Sequence, residues 1–132
     1  MSVFIDTNIA LYAISDDPVR GPMARQILAQ PFEISAQILN EFANVSRRKL
    51  GKNWDEIEQS LNFIRASAAT VHPVTDHTNQ VGIRLARRYN LSTYDAILIA
   101  ASLIANCNTL FSEDMQHGLT IEGRVTIHNP FS

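Results

Sequence analysis

Little in this chain suits it to a covalent staple or a membrane. The single cysteine, Cys107, cannot form an internal disulfide, and its apolar neighbours mark it as a small core hydrophobe in a reducing compartment. No apolar run approaches the roughly eighteen residues that a membrane span needs. Met1 opens neither a basic n-region nor an apolar h-region. A cytoplasmic protein is the expectation. Net charge is small too. Acidic and basic residues nearly cancel at a formal net charge of -2, so no global field attracts a polyanion. The four histidines, His72, His77, His117 and His128, show no metal-ligand spacing and none reads as catalytic. What remains is an ordinary globular balance, 45% hydrophobic and 18% charged over 132 residues. That size suits one domain over residues 1–132, with no linker, repeat or low-complexity stretch to divide it.

Short apolar runs alternate with helical patterns. Strands are expected at 3–5, 32–35, 70–74, 109–112 and 125–128, the third limited by Pro73. Helices are expected at 9–14, 23–29, 36–50, 55–68, 78–89 and 92–105, with Gly51 stopping the third. Strands alternating with helices through short connections predict an α/β fold, with a parallel sheet covered on both faces. Such sheets place their sites beyond the carboxyl ends of the strands, where the strand order switches.

Four acids stand where folding explains a carboxylate least well. Asp6 closes the run Val3-Phe4-Ile5, and Glu41 interrupts the helical stripe Ile38, Phe42, Val45. Asp95 opens the apolar run that continues to Ala101, and Asp114 follows Thr109-Leu110-Phe111-Ser112. Carboxylates are seldom buried unless paired or ligating a metal. Each also has a structural reading. Asp6 or Thr7 suits a helix N-cap, and Glu41 can reach water from the edge of its stripe. Ser92 to Asp95 has the spacing of a capping box. Spacing alone does not rank Asp114 above Glu113. Together the four predict one acidic pocket that a divalent cation neutralises.

The segments around these acids resemble a known family. Phe4-Ile5-Asp6-Thr7-Asn8-Ile9, Ser35-Ala36-Gln37-Ile38-Leu39-Asn40-Glu41-Phe42, Leu91-Ser92-Thr93-Tyr94-Asp95-Ala96 and Leu110-Phe111-Ser112-Glu113-Asp114 together resemble PIN-domain ribonucleases, and most closely the VapC-type toxins. The resemblance implies a five-stranded parallel sheet in order 3-2-1-4-5, flanked by helices. It implies Mg²⁺ or Mn²⁺ held by Asp6, Asp95 and Asp114, with Glu41 as the fourth catalytic acid, and Asn8 and Ser112 as polar supports. The implied activity is hydrolysis of RNA phosphodiester bonds by the toxin of a type II toxin–antitoxin pair. The implied partners are an RNA substrate, a VapB-type antitoxin and a second copy of the chain in a homodimer. A catalytically silent PIN-fold module that binds RNA or protein is the alternative. A haloacid-dehalogenase-like phosphohydrolase fits poorly: Asn8 stands where that chemistry needs a second aspartate, and no lysine follows Lys52.

Basic residues must supply local attraction for RNA. Arg84, Arg87 and Arg88 share one helical face, and Arg47, Arg48, Lys49 and Lys52 cluster at a helix end. Trp54 is expected to anchor a helix start.

Overall fold

The computed structural model describes residues 3–132. Its elements run β1 (Val3–Ile5), α1 (Thr7–Ala13), α2 (Arg20–Leu28), β2 (Phe32–Ser35), α3 (Ala36–Arg48), α4 (Trp54–Ser67), β3 (Thr70–His72), α5 (Asp76–Tyr89), α6 (Thr93–Ile104), β4 (Thr109–Phe111), β5 (Thr120–Ile121) and β6 (Val125–His128). The sheet order is β3-β2-β1-β4-β6-β5. Every pairing is parallel except β5 with β6.

The five expected parallel strands are therefore present in the expected order, with β6 as the fifth. A sixth, two-residue strand corrects the count. It forms a hairpin with β6 through Glu122 and Gly123, both at positive φ (52° and 66°), and the Arg124 N–H bonds the Ile121 carbonyl at 2.9 Å. Adjacent residues with positive φ give the twist a hairpin turn requires. Glutamate in the first of those places disguised the turn.

Consecutive strand residues point to opposite faces, yet Phe4 and Ile5 are both fully buried. Both faces of β1 are therefore covered. Two groups of helices do this. In one, α1 packs on α2 and α3, and α3 on α4; in the other, α6 lies against β2, β4 and β6 and pairs with α5. Continuous burial from Ala96 to Leu103 accounts for the unbroken apolar run of α6, a helix enclosed on all sides.

Local chemistry sets the helix ends. Asp6 caps α1, so that helix begins at Thr7 rather than at residue 9. Asn53 and Glu56 cap α4 reciprocally, and Thr75 and Thr78 do the same for α5. Asn90, at φ 54° and ψ 53°, ends α5 in the left-handed conformation that asparagine tolerates. α2 begins before Pro22, not after it, because the first turn of a helix needs no donor from proline. β1 is the switch point: β2 and β3 lie to one side of it, β4 and β6 to the other. Asp6 and Ser112 immediately follow the two strands that flank this point.

Candidate active site

Asp6 follows β1 and is only 8% exposed. Its Oδ1 accepts the Thr7 N–H at 2.7 Å, and its Oδ2 accepts the Ser112 hydroxyl at 2.8 Å. Burial pushes its pKa up to about 6. The hydrogen bonds from Ser112 and Thr7 pull against that shift, and the charges of Glu41 and Asp114 add to it. The N-cap reading of Asp6 is thus correct, and the same carboxylate is destabilised as an anion by two acid neighbours.

Glu41 comes from α3. Its Oε2 accepts the Thr7 hydroxyl at 2.8 Å, and its Oε1 accepts the Gln37 amide, one helical turn earlier, at 3.1 Å. Asp114 follows β4, and its Oδ2 accepts the Asn8 amide at 3.0 Å. The Asn8 carbonyl oxygen in turn accepts the Glu113 N–H at 3.3 Å. Asn8 and Ser112 therefore hold the acids in place. Thr7, buried between Asp6 and Glu41, is a support that the sequence reading missed, since its capping role seemed to account for it.

These three acids share one open cavity of about 300 Å³, together with Asn44 and Lys49. Asp95 is not among the lining residues. It stands half-buried at the start of α6, where its N–H donates to Ser92 Oγ at 3.4 Å. Ser92 is the cap, but the Asp95 carboxylate does not return the bond. Among the described residues that carboxylate has no hydrogen bond or ion pair, which leaves it available.

The neighbouring Glu113 has a different task. It accepts the Tyr12 hydroxyl at 2.7 Å and the Arg20 Nε at 2.8 Å. Burial pushes its carboxyl up, but Tyr12 and Arg20 outweigh that and hold it below the usual range. Arg20 also lies over the rings of Tyr12 and Phe131. Glu113 ties α1, α2 and the loop after β4 together, and Asp114 faces the cavity.

The basic clusters separate in the same way. Arg84 and Arg88 both bond the Glu122 carboxylate, which their charges hold below the usual range. Within the expected face of Arg84, Arg87 and Arg88, two of the three guanidiniums are thus engaged with an acid. Arg47, Arg48, Lys49 and Lys52 have no carboxylate partner among the described residues. No histidine lines the acid cavity. Cys107 is buried, and burial, with Glu33 beside it, pushes its thiol up to about 12, which suits an inert core residue.

The donors offered to a cation here are carboxylate and neutral oxygens, the hard ligands that Mg²⁺ and Mn²⁺ take. Among the described residues, no three Asp, Glu, His or Cys side chains stand together as a finished cation cage. An ion here would keep several waters, as Mg²⁺ usually does. The pKa of Asp6, raised first by burial and then by Glu41 and Asp114, marks a carboxylate that a positive charge would stabilise as an anion.

A family model for the PIN domain matches residues 3–118. No curated protein matches the chain in sequence. Among solved structures, one described as a toxin–antitoxin complex from Klebsiella pneumoniae is similar with a TM-score of 0.75 and 20% identity, covering 98% of each chain. VapC20 from Mycobacterium tuberculosis, described as a sarcin–ricin loop cleaving toxin, is similar with a TM-score of 0.69 and 20% identity, over 86% of this chain and 92% of that one. VapBC2 from Rickettsia felis, bound to a DNA fragment from its promoter, gives a TM-score of 0.70 and 18% identity over 98% of each chain. These likenesses concern the fold. The family match spans most of the chain, and the mostly parallel sheet flanked by helices agrees with it: the chain belongs to the PIN domain family.

Proposed function

We propose that the chain is a divalent-metal-dependent endoribonuclease that acts as the toxin of a type II toxin–antitoxin pair. One observation carries this reading: Asp6, Glu41 and Asp114 converge from three separate elements on one cavity at the switch point of a parallel sheet. Three acids held together by Ser112, Thr7 and Asn8, one of them the buried Asp6, cost stability, and a bound cation offsets that cost. The PIN family match and the toxins among the similar folds support the same reading.

Asp6, Asp114 and the uncommitted Asp95 would hold Mg²⁺ or Mn²⁺. The cation, when bound, supplies Lewis acidity to a phosphodiester and makes water more acidic. Glu41, fixed by Thr7 and Gln37, would orient the attacking water and take its proton. Ser112 donates to Asp6 Oδ2 and Asn8 to Asp114 Oδ2, and both carboxylates keep further lone pairs for a cation. Lys49 at the cavity rim would attract the phosphate. The partners that follow are RNA, a VapB-type antitoxin that shields the cell, and a second copy of the chain.

The catalytically silent reading draws on the lack of a finished cation cage among the described residues. Two measurements separate the readings. A nuclease gains thermal stability with saturating Mg²⁺ or Mn²⁺, by about 3 kcal/mol at a hundredfold excess over Kd, and loses it in chelator. Brief induction in cells yields new RNA ends in the wild type and none in Asp6→Asn. Growth arrest should follow expression of the wild type alone, and a co-expressed antitoxin from the neighbouring reading frame should relieve it. Unchanged melting in metal together with no new RNA ends would leave only the silent module.

A further inference from the structure

The junction of α3 and α4 carries the chain's single tryptophan in an arrangement that the acid pocket does not use. Trp54 is the first helical residue of α4, yet Asn53 and Glu56 already secure that helix start. The side chain is not the anchor expected from the sequence, because 60% of the residue is exposed. The Arg47 guanidinium lies over the indole, 5.0 Å from the ring centroid. Arg47 is itself held, its Nη1 donating to the Lys52 carbonyl at 3.2 Å. A large apolar ring is thus kept in solvent with a fixed cation behind it, where burial provides no reason for it.

Two further cations lie between Glu41 and this ring in the chain. Lys49 lines the acid cavity itself, and Lys52 lies beyond the turn at Gly51, whose φ is 63°. Neither is paired with a carboxylate among the described residues. Glu41 and Lys49 lie about 12 Å apart along the helix axis, at 1.5 Å per residue. Along α3 and into α4 the chain thus carries an acid of the cavity, two unpaired lysines and an exposed aromatic ring, the groups that a single strand takes: for a scissile phosphate, flanking phosphates, and a base with a free face.

We propose that Trp54 is a base-stacking platform for single-stranded RNA, with Lys49 and Lys52 holding the intervening phosphates as the strand leaves the acid pocket. The proposal rests on the ribonuclease reading and adds a subsite to it. Every base has a π-face, so stacking here adds affinity without dictating sequence.

The lone tryptophan makes the test direct, because all indole emission comes from Trp54. In chelator, where RNA stays intact, a mixed-sequence strand of roughly ten nucleotides should quench that emission saturably. Inorganic polyphosphate should not. Trp54→Ala should weaken RNA binding roughly tenfold, and Trp54→Phe, which keeps a ring, should retain most of the affinity. Lys49→Ala should reduce the log–log salt slope by about 0.7, the loss of one phosphate contact on a single strand. Unchanged emission with RNA that binds and is cut, and wild-type affinity in Trp54→Ala, would remove the platform and leave the nuclease reading standing. Equal quenching by polyphosphate would reduce the site to charge alone and overturn stacking. RNA that fails to bind even at low salt would overturn both. Should Trp54→Ala not fold, the emission of the wild type and the affinity of Trp54→Phe still decide.

Discussion

Ser112 donates to Asp6 Oδ2 at 2.8 Å across 106 positions of sequence, joining the ends of β4 and β1. The two strands are adjacent and parallel, so the bond spans the switch point of the sheet. It fixes the acid on its buried side. Its stabilising pull on the anion is smaller than the effect of burial, which is why the Asp6 pKa rises to about 6 and does not fall.

A pH dependence follows from that shift. The native pKa is raised from 3.8 to about 6, so between those values the native state binds more proton than the unfolded chain. Stability without metal should therefore be fully present below about pH 4 and decline as pH rises through 6, for this group alone. The shift corresponds to about 3 kcal/mol, an order-of-magnitude figure for a group this well buried. Asp6→Asn should be more stable than the wild type at pH 7 in chelator, and the difference should vanish near pH 4. Denaturant unfolding at the two pH values checks it. Equal stability at pH 7 would mean that the pocket carries no such strain.

Glu113 and Asp114 are adjacent in sequence and opposite in role. Glu113 is committed to Tyr12 and Arg20, and Asp114 lines the acid cavity. Glu113→Gln should lower the melting temperature by a few degrees and leave RNA cleavage within about twofold, since partly exposed ion pairs contribute little each. Asp114→Asn should do the reverse. A cleavage assay beside a melting curve for both variants checks the pair, and an inactive, fully stable Glu113→Gln would exchange their roles.

Much of this arrangement was legible in the chain. Val3-Phe4-Ile5 reads as a buried strand, short and continuously apolar, and Asp6 after it falls at the carboxyl end of that strand. Glu41 was visible as a break in the stripe of Ile38, Phe42 and Val45. Other features depend on contacts made far along the chain, which periodicity does not encode. Glu122 neutralises Arg84 and Arg88 from more than thirty residues away, so a face that reads as free positive charge is partly closed. Trp54 looked like an anchor because tryptophan usually seeks burial. Its exposure shows only once α3 and α4 are packed together. The Glu122–Gly123 hairpin lacked the asparagine or aspartate that marks such turns.

Asp95 is the acid whose value to the fold is least. Its carboxylate has no hydrogen-bond or ion-pair partner among the described residues, and Ser92 performs the capping. Asp95→Asn should change stability by no more than about 0.5 kcal/mol, as at an uncommitted surface position. Cleavage should still fall by about a hundredfold or more, the loss expected of a charged group acting in the reaction. In cells the variant should be harmless and yet still bind the proposed antitoxin. Wild-type cleavage by a folded Asp95→Asn would take Asp95 out of the site.

The final prediction concerns what holds Asp95 in place. α5 and α6 pack closely at Gly82, where an added Cβ would meet Ile97 Cγ1 at 3.0 Å, Ile97 Cα at 3.2 Å and Ile97 N at 3.3 Å. A flexible side-chain tip could move aside, but the Ile97 backbone cannot without shifting α6. Alanine in a helix gains about 1 kcal/mol over glycine, and overpacking costs about 1–3 kcal/mol. With two of the three contacts on backbone atoms the cost should win, so Gly82→Ala should be destabilised on balance. The shift should also move Asp95, two residues before Ile97 on the same helix, and misplacement by a fraction of an ångström should cut cleavage on the order of tenfold. Gly118→Ala is the control. Gly118 has a φ of 85° and nothing within 4 Å of an added Cβ, so alanine there strains only its own backbone. That variant should lose stability and keep its rate per folded molecule. If Gly82→Ala also kept its rate, the α5–α6 contact would serve the core alone and would not position Asp95.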